Sequence, residues 1–386
     1  MTNAIVSNSH DPNTPTSHLA PWYEIANADE IASPTILIYP QRVEENVRRM
    51  IAVAGDASRL RPHVKTHKLP QIIAIKRSLG ITKFKTSTIA EAEMTAMEGG
   101  EDVMLAYPLV GPNITRLGQL MQQYPRTRFT GLVDNSKTLE TIAAIGVQAG
   151  VTFELFVDLN VGMNRTGILI GPATEELYAQ LCQLPGVKPA GLHVYDGHLH
   201  DPDHRSLVAS YQQVFAPVWK LRDSLRASNL RVPKIVAGGT PTSPLLAHDE
   251  DVEVGAGTTV LWDFGQVEIS PDQEFLNAAV IFARVISKPL GDRICLDVGH
   301  KAVASEMVPP RAQWFGLEDA IPVIHSEEHL VLRTERASQY SVGQVIYGIP
   351  RHVCPTIALH SEVQCVRDGQ VTESWPVVAR ARRLTI

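Results

Sequence analysis

Lys83-Phe84-Lys85-Thr86-Ser87-Thr88 runs directly into Ile89-Ala90-Glu91-Ala92-Glu93-Met94-Thr95-Ala96-Met97-Glu98. The first half is short and strand-like, and the second carries apolar and small residues at helical spacing. Together they read as one βα unit. The same alternation recurs on both sides. Strand-like runs fall at 60–65, 83–88, 103–107, 129–134, 153–159, 190–195, 234–237 and 252–255. Helical patterns lie between them at 89–98, 114–123, 137–149, 173–182 and 206–227. About eight such units over about 200 residues predict an α/β fold, a (β/α)8 TIM barrel. A doubly wound open sheet is the alternative, but it usually has fewer strands and an early Gly-rich turn.

Beyond the barrel the pattern changes. From residue 275 short β runs follow at 278–287, 293–297, 329–333, 344–347, 362–367 and 374–379, punctuated by Pro and Gly turns. The expected organisation is an N-terminal tail and lead-in at 1–32, a barrel at 33–274 and a C-terminal β domain at 275–386. Residues 1–17 are polar and lack an apolar core, which reads as a flexible tail rather than a signal peptide. The 386 residues are 44% hydrophobic and 20% charged with a net charge of −6, so neither nucleic acid nor an anionic membrane surface is an expected partner. No run is apolar for long enough to predict a transmembrane helix. Cys182, Cys295, Cys354 and Cys365 are scattered, which argues against a disulfide framework and for the reducing cytoplasm.

Barrel chemistry sits at the C-terminal ends of the strands, with phosphate often held after the seventh and eighth. Lys65, in Arg61-Pro62-His63-Val64-Lys65-Thr66-His67-Lys68, closes the first run. A lysine there can form a Schiff base if neighbouring cations and desolvation lower its pKa. From spacing alone the plainer reading, a surface lysine in a basic run, is the favoured one. Gly238-Gly239-Thr240-Pro241-Thr242 follows the seventh run and Gly255-Ala256-Gly257-Thr258-Thr259 the eighth, both suited to close backbone approach by a phosphate. Lysine at the first strand with phosphate loops at the last two suggests pyridoxal 5'-phosphate (PLP) rather than a nucleotide. Arg165 follows the fifth run and could pair with a cofactor oxygen or a structural carboxylate. His193 and Tyr195 share one strand face, aimed at the barrel mouth or its core. In the β domain, His352 and Cys354 stand two apart, and on an extended strand both would face one side. Such an N/S pair suits Zn²⁺ and tolerates other divalent ions; a buried His beside a buried Cys is the plain alternative. Asp196, His198, His200, Asp201, Asp203 and His204 form a polar loop whose spacing matches no ligand scheme.

Taken in order, these segments resemble the D-threonine aldolase and D-serine dehydratase family, fold-type III PLP enzymes related to alanine racemase. The resemblance runs from about residue 33 to the C-terminus. It is carried by Ser33-Pro34-Thr35, Arg61-Pro62-His63-Val64-Lys65-Thr66, Thr86-Ser87-Thr88-Ile89-Ala90-Glu91-Ala92-Glu93 and residues 162–167 and 237–240. Asp297-Val298-Gly299-His300-Lys301, Glu327-Glu328-His329 and His352-Val353-Cys354-Pro355-Thr356 complete the set. It implies that Lys65 is the Schiff-base lysine and that Gly239, Thr240, Gly257 and Thr258 lie in phosphate-binding loops. It further implies that Arg165 and Tyr195 contact the cofactor ring, and that His352 and Cys354 hold a divalent metal, Zn or Mn. A homodimer acting on a small D-amino acid is expected. The implied reaction is retro-aldol cleavage of a D-3-hydroxy-α-amino acid to glycine and an aldehyde. The pair here is His-x-Cys, as in the family's dehydratases, whereas its aldolases carry His-x-Asp. Dehydration of D-serine or D-threo-3-hydroxyaspartate to a keto acid and ammonia is therefore the alternative reaction. Metal-free racemisation and a non-catalytic PLP carrier are the further alternatives.

Overall fold

In the computed structural model, which describes residues 21–386, the chain enters through β1 (Thr35–Ile38) and α1 (Pro40–Ala54). The tail expected at 1–17 lies outside the described residues. α1 turns Val43, Val47, Met50 and Ala54 onto one buried face at helical spacings. It starts on Pro40, where a missing N–H costs nothing, and stops at Gly55 in the left-handed region at φ 82°. α2 (Pro70–Ser78) also begins on a proline.

The barrel sheet is parallel and runs in the order β2 (Lys83–Thr86), β3 (Asp102–Pro108), β4 (Arg128–Val133), β5 (Phe153–Asn160), β7 (Val187–Val194), β8 (Lys234–Ala237) and β9 (Val252–Val254), with the two-residue β6 (Ile168–Leu169) beside β5. The connecting helices α3 (Ile89–Met97), α4 (Pro112–Gln123), α5 (Ser136–Ala149), α6 (Pro172–Gln183) and α7 (His204–Ala227) fall where the periodicity predicts them. A short α8 (Ser243–Leu246) follows β8.

The run expected as the first barrel strand, 60–65, is not a strand. Leu60 and His63 form single parallel bridges to Val254 and Lys85. The Arg61 N–H donates to Val254 O at 2.9 Å and the Lys85 N–H to Pro62 O at 3.1 Å. Pro62 has no N–H to contribute, so no continuous ladder forms, and the chain curls into a 3-10 turn at Val64–Thr66. The segment still stands between β9 and β2 and completes the ring. Met104, Leu132, Phe156, Ala190 and Val236 fill the interior with apolar side chains.

Where the strands begin, a ring of ion pairs ties the barrel together. Arg61, 1% exposed, donates to both carboxylate oxygens of Asp102 at 2.6 and 2.9 Å and to Glu253 at 2.7 Å. Lys83 also pairs with Glu253, and Arg128 with both Asp102 and Glu154. Removing one partner of a buried pair leaves the other charge uncompensated. Arg61→Ala is therefore expected to cost about 3 kcal/mol in denaturant unfolding, the low end of the usual range because Lys83 and Arg128 still hold the carboxylates. Burial would raise Asp102, but the hydrogen bonds from Arg61 hold its carboxyl below the ordinary carboxylate value. Its contribution is thus complete above that ordinary value and vanishes as acid carries the pH down through the lowered one. The wild type should lose more stability than Arg61→Ala over that acid range.

α9 (Phe264–Ile269) leads to the second sheet, formed by β10 (Ala279–Leu290), β11 (Arg293–Leu296), β12 (Ala312–Trp314), β13 (Ile321–His325), β14 (Leu330–Arg333), β15 (Val345–Pro350), β16 (Glu362–Arg367) and β17 (Gln370–Pro376). α10 (Val353–Leu359) interrupts it after β15. β1 lies inside this sheet, antiparallel to β10 and parallel to β16, so the chain's first strand is paired with its last third. β12 and β13 are additions to the expected strands, and the run expected at 374–379 straddles the end of β17 and a 3-10 turn at Val378–Arg380. Among the described residues no helix is long and apolar enough to cross a membrane.

Candidate active site

The turn at Val64–Thr66 sets Lys65. His63 caps it, its Nδ1 accepting the Lys65 N–H at 3.2 Å. Burial, then Lys65 and Lys85, drive His63 well below an ordinary imidazole, so it stays neutral. The basic run is split three ways. Arg61 points to the ion-pair ring, Lys68 pairs with Glu91, and Lys65 lines a cavity of about 550 Å³. Lys85, Arg165, His193 and Tyr195 line the same cavity. Three cations surround the Tyr195 ring: Lys65 Nζ lies 5.9 Å from its centroid, Lys85 Nζ 5.8 Å and Arg165 Cζ 4.8 Å. His193 sits two residues before Tyr195 and donates through Nδ1 to the buried Asp158 at 2.7 Å. Its Nε2 is buried with no partner among the described residues, an unused polar atom in the wall of the cavity.

The glycine loops border this cavity rather than line it. Gly257 packs so closely on the turn that a Cβ there would lie 2.7 Å from His63 O. The loop at Gly239 and Thr240 is shaped by Asp196, which accepts the Gly239 N–H at 2.7 Å and the Thr242 hydroxyl at 2.5 Å. The Gly239 amide is thus already engaged and Pro241 has no N–H, which leaves the Thr240 amide and hydroxyl as the groups of this stretch that a phosphate could meet. Burial raises Asp196, and these two hydrogen bonds oppose that rise. The polar loop from Asp196 to His204 therefore contributes a loop anchor.

His352 and Cys354 do not share a strand face. β15 ends at Pro350, His352 is the residue before α10, and Cys354 is in its first turn. The buried Asp263 forces the switch by accepting the Val353 N–H at 2.8 Å, and Pro355 is tolerated in a first helical turn. The imidazole and thiol still meet. Burial would lower His352, but hydrogen bonds to Cys354 and Glu306 raise it to about 9. Burial would raise Cys354, and the bond to His352 lowers it instead. The thiol also donates to Thr66 Oγ1 at 3.2 Å and lies 3.6 Å from Thr258 Oγ1. The C-terminal pair is thereby delivered to the residue next to Lys65. Among the described residues no three His, Cys, Asp or Glu side chains converge as a closed metal site. A His and a thiol with a carboxylate behind the imidazole suit a divalent ion that keeps open positions.

Lys85, Asp158 and Glu306 were not singled out from the sequence as parts of the site, and Asp196 was noted only within a polar loop whose spacing matches no ligand scheme. For Lys85 a signal was present, since strand alternation in Lys83-Phe84-Lys85-Thr86 places Lys85 opposite the apolar Phe84. The partners of the three acids depend on contacts between distant segments.

A family model for the alanine racemase N-terminal domain matches residues 38–261, and one for a serine dehydratase domain matches 278–366. The chain is 31% identical to a D-threonine aldolase of Arthrobacter sp., over 91% of this chain and 93% of that one. It is 26% identical to a 3-hydroxy-D-aspartate aldolase of Paracoccus denitrificans, over 92% and 93%. The solved D-threonine aldolase from Filomicrobium marinum superposes with a TM-score of 0.83 at 28% identity, over 92% of this chain and 97% of that one.

Proposed function

Because the chain belongs to the alanine racemase-like family of PLP enzymes, in the group of the D-threonine aldolases, we propose that it is a PLP- and divalent-metal-dependent lyase cleaving D-3-hydroxy-α-amino acids to glycine and an aldehyde. The observation that carries this reading is the contact between Cys354 and Thr66, which brings the His352–Cys354 pair beside Lys65. Bound here, PLP would supply a sink for the electron pair released at Cα, and a Zn or Mn ion would supply Lewis acidity at the β-oxygen.

The chain's own residues would do the rest. Lys65 would hold the cofactor through its amine. Arg165 offers a permanent cation beside the ring, and Tyr195 offers a flat face against it. Gly239, Thr240, Gly257 and Thr258 shape the loops for the phosphate. His352 and Cys354 hold the ion, and Glu306 fixes His352 by accepting its Nδ1–H. Tyr107 and Val110, 55% and 51% exposed, stand at the rim of the cavity, an apolar edge that a second copy of the chain in a homodimer would cover. All four cysteines are free thiols, which suits a cytoplasmic enzyme.

The cysteine at 354, where the aldolases of the family carry Asp, favours a second reading, dehydration to a keto acid and ammonia. Product analysis with D-threonine, D-serine and D-threo-3-hydroxyaspartate decides between them. Glycine with an aldehyde is the expected outcome; keto acid with ammonia would replace the aldolase by the dehydratase.

A further inference from the structure

We propose that Lys85 is the residue that meets the ring nitrogen of the cofactor, donating an N–H to it and keeping the ring uncharged. The inference rests on the PLP reading above and adds a contact that reading does not contain. Lys85 is 3% exposed, an unusual position for a lysine without an ion-pair partner, and its Nζ makes no hydrogen bond to a described residue. Its backbone is pinned to the segment that carries Lys65, through the bridge to His63 and the bond to Pro62 O. On the other side of that segment, after β9, lies Gly255, where a Cβ would lie 2.3 Å from Lys85 Nζ and 3.0 Å from its Cε. The amine therefore fills the space that a side chain at the end of the eighth barrel strand would take.

PLP presents four polar features to a protein. Three have candidates: Lys65 for the carbon that carries the imine, the glycine loops for the phosphate, and Arg165 for the ring oxygen. The ring nitrogen remains, and of the cavity groups without a hydrogen bond to a described residue, Lys85 Nζ and His193 Nε2 are the two buried ones that neither cap the Lys65 turn, as His63 does, nor face the ring, as Tyr195 does. They are chemically opposite. His193 gives its Nδ1–H to Asp158, and burial lowers its pKa, so it is neutral and its Nε2 carries a lone pair. Such an acceptor would suit a protonated ring nitrogen. Lys85 is a donor and suits an unprotonated one. Burial, then Lys65, brings Lys85 down to about 7, so its cost of burial falls when a hydrogen-bond acceptor reaches it. An uncharged ring would draw less charge from Cα and would leave more of the polarisation to an ion that His352 and Cys354 would hold.

The test uses holoenzyme reconstituted with PLP labelled with ¹⁵N in the ring and read by NMR. The wild-type resonance should fall in the range of an unprotonated pyridine that accepts a hydrogen bond. In Lys85→Met it should move toward the position of a free pyridine, with PLP bound roughly 10- to 100-fold more weakly. A wild-type resonance in the pyridinium range overturns the proposal in favour of His193, and it does so whether or not Lys85→Met folds. A resonance that Lys85→Met leaves in place also overturns it. If the wild type takes up no PLP on a lysine, the PLP reading itself has failed; uptake with a pyridinium signal defeats only the assignment of Lys85.

Discussion

Lys65→Ala should abolish the visible absorbance of lysine-bound PLP and lower kcat by at least about 10²- to 10⁴-fold, the range for losing a positioned acid–base group alone. The fold should survive, because Lys65 is only half-buried and its turn is held by backbone bonds and the His63 cap. Activity is therefore expected to fall without a matching fall in stability, which circular dichroism and denaturant unfolding would verify. The prediction is sharp because a second amine is nearby. Lys65 and Lys85 lie 5.9 and 5.8 Å from the same ring centroid. What separates them is access: Lys65 rides on a turn at the mouth, whereas Lys85 is 3% exposed and faces Gly255. Borohydride reduction of the wild type followed by peptide mapping should place the cofactor on Lys65. A label on Lys85 would reverse the two roles.

Stripping divalent metal with a chelator should cost roughly 10²- to 10⁴-fold in kcat, because Lewis-acid stabilisation is worth several kcal/mol and each 1.36 kcal/mol is a factor of ten. His352→Ala should have the same effect and should lower the bound metal measured by elemental analysis. In both cases the visible band of lysine-bound PLP should persist, since the His63 cap holds the Lys65 turn and Asp196 holds the Gly239 loop without the His352 side chain. That persistence separates loss of the ion from loss of the cofactor. Full activity after chelation would instead favour a racemase, in which the His352–Cys354 contact serves only packing.

Much of this architecture is visible before any coordinate. The βα alternation depends on local spacing, and helices α3 to α7 form where their apolar residues repeat. α1 and α2 could have been found the same way, from Val43, Val47, Met50 and Ala54 and from the proline at each start. β13 is harder. It has no buried residue and carries Pro322, so its residues show no alternation, and its pairing with β14 defines it.

For the site, chain order was enough to nominate Lys65, the two glycine loops and the His352–Cys354 pair, because each is a short motif in a telling place. Their relation was not visible. Thr66 and Cys354 are 288 residues apart, and the thiol reaches Thr66 because Asp263 turns β15 into α10 at that point. Arg61 read as one more cation of a basic run, and partners 41 and 192 residues away make it a buried strut.

The amino-acid sequence alone determined the kinds of element, their order, and which residue types could carry PLP chemistry, since those follow from spacing and from intrinsic side-chain chemistry. Tertiary structure alone decided that β1 joins the C-terminal sheet, that 60–65 closes the barrel through single bridges, and that Asp196 holds the Gly239 loop. It also decided that Lys85 faces the cavity without a partner among the described residues. Each of these is set by burial and by hydrogen-bond partners that distant segments bring together, and no local pattern encodes which polar atom a fold will leave without one.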